Sequence, residues 1–178
     1  MKPLFPSYEL SWRTAEDRKF LKSSAWRKIR FRLLERDDFT CAYCGFRSEK
    51  GQQINHIDGD PKNNDDSNLE VICPDCHKVT HAGLWVVKKR TMKLFAKSKY
   101  SQNEIIRITR EMRSQGKDDD EIIRFLGLEE PMPWIQGLDY LRSLYAFNTS
   151  ATPVETPRPL LTEEEQRKRI MNKDNDGM

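Results

Sequence analysis

Two Cys-x-x-Cys pairs, Cys41-Ala-Tyr-Cys44 and Cys73-Pro-Asp-Cys76, are separated by 28 residues and constrain this chain more than any other feature. The 178-residue sequence holds 4 cysteines and 3 histidines, all between positions 41 and 81. Zinc favours four ligands in a tetrahedron, and two intervening residues let one turn deliver both thiolates of a pair. Gly45, directly after the first pair, relaxes the backbone where such a turn is tightest. A redox-active or incidental pair would not call for two knuckles of matching spacing. Cys41, Cys44, Cys73 and Cys76 are therefore expected to clamp a structural Zn2+.

Composition explains why a clamp is needed. Hydrophobic residues make up 37% of the chain against 33% charged, so the core is small or divided and benefits from metal reinforcement. The net charge of +3 hides an asymmetry: residues 1–110 hold 22 Lys/Arg against 14 Asp/Glu, and residues 111–178 hold 9 against 14. The front two thirds attract a polyanion and the back third does not. The opening MKPLFPSYELSW lacks the apolar core of a secretion signal, and no run approaches the length of a membrane span. A cytoplasmic protein without a membrane partner is expected, in which paired cysteines serve as ligands rather than disulfides.

Along the chain, residues 1–22 read as an irregular extension with prolines at positions 3 and 6. Ser23 or Ser24 caps a helix to about Arg36, with Trp26, Ile29, Leu33 and Leu34 as its buried stripe. Gln53 to Ile57 and Asn68 to Ile72 read as short strands around a turn-rich loop. A helix starts near Pro74 and continues past His81, with Gly83 a candidate end. His77 and His81, four apart, then share one helix face and point at one ion.

The order Cys41-x-x-Cys44, Ile54-Asn55-His56-Ile57-Asp58, Asn68-Leu69, Cys73-x-x-Cys76-His77 resembles the HNH endonuclease family over roughly residues 24–85. The resemblance implies an α+β, mostly helical chain. Its centre is a ββα-metal finger spanning 23–84 with a four-cysteine zinc site, flanked by an N-terminal helix and a C-terminal helical unit. It also implies metal-dependent hydrolysis of DNA phosphodiester bonds, with RNA not excluded, as used in phage defence, restriction or mobile elements. His56 would be the general base, and Asn68 would orient the histidine strand. Asn55, His77 and His81 would hold a catalytic divalent metal: Mg2+, Mn2+, Ni2+ or Zn2+. Many members carry aspartate where Asn55 stands. The run from Asn55 through Asn63-Asn64 to Asn68-Leu69-Glu70 is similar to a phage-associated branch in which asparagine is usual.

Read singly, these residues have plainer roles: His77 could join the zinc ligands, and His56 could be a satisfied structural histidine. A zinc-stapled nucleic-acid-binding module without catalysis, or a nuclease effector gated by a protein partner, therefore stands beside the enzyme reading. Arg27, Lys28 and Arg30 on the entry helix are candidate phosphate contacts. Residues 85–100 read as a basic connector helix offering Lys88, Lys89, Arg90, Lys93 and Lys97, interleaved with aromatics, to a nucleic-acid backbone. The alternative there is a solvated helix. Residues 101–147 read as a helical unit, similar to helix-turn-helix or suited to docking a companion protein or second copy. Its last helix is expected from about Pro133 to Phe147, and a mobile tail over 148–178.

Overall fold

The computed structural model describes residues 1–7 and 14–150. Helix outweighs strand, 44% against 17%, and both contribute to the core, so the class is α+β as expected. The entry helix forms where the sequence places it. Ser23 caps α2 (Ser24–Arg36) by accepting a hydrogen bond from the Trp26 amide at 3.1 Å. Trp26, Leu33 and Leu34 are buried against Ile54, Leu69 and Val71. Those partners lie on an antiparallel hairpin, β1 (Gln53–His56) paired with β2 (Leu69–Ile72), with Asn55 opposite Glu70. Side chains alternate across a strand, so Ile54 and His56 face α2 while Gln53 and Asn55 face the other way. On that second side lies α3 (Pro74–Thr80), started by Cys73 as N-cap with Pro74 at its first turn.

Several expectations are corrected. The region before α2 is not wholly irregular, because Thr14 and Asp17 form a capping box for α1 (Ala15–Phe20). The helix α3 ends at Thr80 with His81 as its C-cap, and Gly83 keeps helical dihedrals as the chain enters a π-helical turn over Leu84–Lys89. The basic connector is not a helix. Arg90 takes a left-handed conformation (φ 53°), ending that turn, and β3 (Met92–Lys97) follows. Its two faces explain why: Met92 and Leu94 enter the core around the cysteines, and Phe95 enters a second cluster with Ile105 and Ile122. A segment apolar on both sides suits a central strand better than an amphipathic helix.

The C-terminal unit is likewise not purely helical. Capping boxes at Ser101/Glu104 and Asp118/Glu121 start α4 (Gln102–Ser114) and α5 (Asp119–Leu126). Instead of a third, reading helix come β4 (Glu129–Met132), a short α6 (Leu138–Arg142) and β5 (Tyr145–Asn148). The order β4-β3-β5 leaves Pro131 on an edge strand, where a missing amide is tolerated. Asn148, where a mobile tail was expected to begin, is still in β5, and the rest of that segment beyond residue 150 lies outside the described residues.

One core cluster unites these parts. Leu4, all four cysteines, Ile72, Val79, Val86, Met92, Leu94, Ile106, Leu144 and Ala146 pack together. Asn103 on α4 secures the start of the chain: its Oδ1 accepts from the Leu4 amide, and its Nδ2 donates to the carbonyls of Lys2 and Tyr43.

Candidate metal centres and cleft

The knuckles converge. Cys41, Cys44, Cys73 and Cys76 are buried, and their sulfur atoms all lie within 4.8 Å of one another. Cys44 and Cys73 Sγ are 3.6 Å apart, close to the roughly 3.8 Å edge of a zinc–thiolate tetrahedron. Gly45 has φ +71°, and its amide donates to the Cys41 carbonyl, closing the first knuckle. Packed together, the thiols oppose one another's ionisation. Hydrogen bonding from Cys41 first pulls Cys44 down, and contact with Cys41 first pushes Cys76 up. A divalent cation resolves that conflict by binding four thiolates, so the donor set fits a structural zinc.

Nothing in the sequence pointed to Arg110, which reaches this centre from α4. Its guanidinium donates to Cys73 Sγ at 3.2 Å, to Cys44 Sγ at 3.7 Å and to Asp75 Oδ2 at 3.1 Å, and lies 4.0 Å over the Phe46 ring. Burial opposes its charge, but hydrogen bonding to Cys44 and the neighbouring thiolates more than offset this and hold its pKa above the ordinary value. Zinc with four thiolates carries a net charge of about −2, which one guanidinium halves. Arg110→Ala is expected to release zinc to a colorimetric chelator at least about tenfold faster than wild type, as outer-sphere deletions do. Arg110→Lys should fall between them.

A cleft of about 730 Å³ opens between α2, β1 and α3. Asn55, His56, His77 and His81 all line it. The imidazoles of His77 on α3 and His81 at its C-cap meet at 3.0 Å between their Nε2 atoms, near the roughly 3.0–3.4 Å expected for two nitrogens bound to one ion at about 2.1 Å. His77 Nδ1 pairs with the Gln53 side-chain oxygen, which only accepts, so Nδ1 carries the proton and Nε2 the lone pair. Gln53 thereby fixes the ligating tautomer, as partners of metal-bound histidines do. Sequence reading passed over it; the available signal was its place two residues before Asn55, on the same strand face. Asn55 Nδ2 donates to Glu70 Oε1 at 3.0 Å, which turns its oxygen the other way. Two imidazoles and an amide oxygen therefore suit a second divalent cation.

His56 sits on the opposite strand face and is 7% exposed. Its ring stacks on Trp26 with centroids 5.9 Å apart and 10° between planes. Its Nε2 lies 3.2 Å from Asn64 Oδ1. Asn64 Nδ2 is directed at the Lys62 carbonyl, so oxygen faces the ring. His56 Nε2 then donates, and Nδ1 keeps the lone pair. Asn68 lies outside the cleft lining and bonds to the loop: its Nδ2 donates to Asp58 Oδ1 and the Asn63 carbonyl, and its Oδ1 accepts from the Asp58 amide. That loop carries Asn64, so Asn68 acts on His56 through its neighbour.

Of the eight candidate phosphate contacts, Arg30 lines the cleft, where it also donates to the Gln52 carbonyl. Lys78, which the sequence reading omitted, lines it too. Arg27, Lys28, Lys88 and Lys89 are exposed, and Arg90 and Lys93 are half-buried. Lys97 forms an ion pair with Glu130 on β4, across the sheet. No single helix aligns the last five: Lys88 and Lys89 lie on the π-helical turn, Arg90 ends it, and Lys93 and Lys97 lie on β3. Among the described residues, no helix is long and apolar enough to cross a membrane.

Comparison with known proteins agrees with this geometry. Residues 41–83 match the model of the HNH endonuclease family. A curated relative, the type 4 apparatus protein DotN of Legionella pneumophila, is 36% identical over 66 residues. That similarity covers 37% of this chain and 30% of the relative. Residues 41–83, which hold the two knuckles, the hairpin between them and the helix that follows, are thus similar to an HNH endonuclease domain and carry a four-cysteine clamp suited to zinc.

Proposed function

We propose that this protein is a metal-dependent HNH endonuclease that hydrolyses phosphodiester bonds in DNA. The observation that carries the reading is the convergence of Asn55, His77 and His81 on one cleft whose wall also holds His56. A divalent cation held by Asn55, His77 and His81 would offset charge on the scissile phosphate and the leaving oxygen. The protein's own groups supply the rest. His56 Nδ1 takes a proton from the attacking water, and its Nε2–H, held by Asn64, fixes the ring for that task. Trp26 supports the ring from below. Asn68 keeps the loop that carries Asn64 from moving away. Arg30 and Lys78 place positive charge along the cleft for the nucleic-acid backbone.

In-line attack with departure of the 3′ oxygen leaves 5′-phosphate ends. One such site cuts one strand, so double-strand cleavage needs a second copy or a second visit. The direct test is nicking of supercoiled plasmid by zinc-loaded protein with Mg2+, Mn2+ or Ni2+ added. Wild type should nick only with an added cation, and His77→Ala should lose activity by about 10²-fold or more while keeping its clamp zinc. Equal nicking by both proteins would defeat the proposal.

A second reading follows from the relative. DotN is named as part of a type 4 apparatus, which favours a finger serving as an assembly module, docked through residues 101–147 and not cutting on its own. That reading predicts retained zinc, co-purification with a companion protein and no cation-dependent nicking.

A further inference from the structure

Asn55 is a weak point in the cation site, because a neutral amide oxygen attracts a hard cation less than a carboxylate does. We propose that Glu70 supplies the missing charge: it is a positioning residue that orients and polarises the Asn55 amide, so the pair acts toward a cation as a relayed carboxylate. This rests on reading Asn55, His77 and His81 as a cation site.

Four observations carry it. Glu70 stands directly opposite Asn55 in the β1–β2 register, so both side chains leave the hairpin on one face. The Asn55 Nδ2 donates to Glu70 Oε1 at 3.0 Å; a carboxylate only accepts, so the amide oxygen is turned from Glu70. Asn55 lines the cleft with His77 and His81, and its oxygen meets no donor from a described residue. Glu70 itself is 3% exposed, an unusual place for a carboxylate with no function.

The burial of Glu70 is compensated on both oxygens. The Tyr43 hydroxyl donates to Oε1 at 2.7 Å, and the Lys2 ammonium to Oε2 at 2.8 Å. Lys2 is held in reach because its amide donates to the Ala42 carbonyl and its own carbonyl accepts from Asn103. The first residues of the chain therefore steady a charge one hydrogen bond behind the cation site. An N–H bonded to a buried carboxylate shifts electron density toward the amide oxygen, and such bonds are stronger where water is excluded.

The test is titration of Mn2+ into zinc-loaded full-length protein, read by the EPR signal of free Mn2+, with clamp zinc and far-UV CD checked for each variant. Glu70→Gln keeps size and an acceptor oxygen but removes the charge; it should weaken Mn2+ binding about tenfold or more. Asn55→Asp alone should gain little, because two carboxylates would then face each other. Asn55→Asp combined with Glu70→Gln should recover wild-type affinity by returning the charge to position 55. A purely structural Glu70 would give no such recovery, and that result overturns the inference, as does wild-type affinity in Glu70→Gln. If wild type binds no Mn2+ that His77→Ala abolishes, the cation-site reading itself fails, and the inference with it.

Discussion

His56→Ala is expected to slow single-turnover cleavage of DNA by about 10²–10⁴-fold, the usual contribution of a positioned general base. Clamp zinc and Mn2+ affinity should be unchanged, because His56 leaves β1 on the face opposite Asn55. The variant empties space against Trp26, so a stability loss of about 1–3 kcal/mol should accompany it. Assays at 25 °C with CD control separate that loss from chemistry. Added imidazole should restore part of the rate by occupying the vacated volume beside Trp26. Asn64→Ala gives a graded companion: without the Oδ1 acceptor the ring can adopt the other tautomer, and the rate should fall by a smaller factor. Cleavage at the wild-type rate by His56→Ala would remove this residue from the mechanism.

Cys73→Ser should be the most damaging single change to stability. Cys73 is fully buried, caps α3, and receives hydrogen bonds from the Cys76 amide and Arg110. A serine can still cap α3, but its hydroxyl does not replace the thiolate as a zinc ligand, and the negatively charged partner of the guanidinium is lost with it. Apparent binding energies of structural zinc run to about 10–16 kcal/mol, at or above the whole stability of a domain this size. The variant should bind less than one equivalent of zinc and show no cooperative thermal transition above about 37 °C, measured by CD with metal analysis. Stripping wild type with a strong chelator should give the same unfolded signal, reversed by adding zinc. A cooperative transition at the wild-type temperature after complete zinc removal would show that the clamp is not structural. Loss of cleavage is expected too, since His77 lies on α3 and His81 is its C-cap.

What the sequence disclosed was what local spacing controls. Paired thiolates with two residues between them, imidazoles four apart and the serine cap of the entry helix all act within a turn or two, so they were readable. The strand β3 was not. Its pairing partners on β4 and β5 are 32 to 56 residues downstream, and only their pairing tells its apolar residues which face they occupy. The helix expected over 133–147 failed for the same reason: Ala146 and Phe147 are buried by β3 and α4, a tertiary preference that overrides helical spacing. At the site, the residues proposed to hold a cation or take a proton followed from motif order, and the side chains that bond to them did not. Gln53, Asn64, Glu70 and Arg110 act through register, loop closure or docking of a distant helix, none of which leaves a short pattern. Trp26 was seen as core but not as the floor under His56.

The shared core has a consequence for how such a finger travels between proteins. Leu4, Ile106, Leu144 and Ala146 lie outside residues 41–83, yet they seal the cysteines from water. A gene fragment encoding the matched segment alone would leave its metal cage roofless, open to oxidants and competing chelators. Recombination that moved this finger as a cassette would have to carry its lid as well.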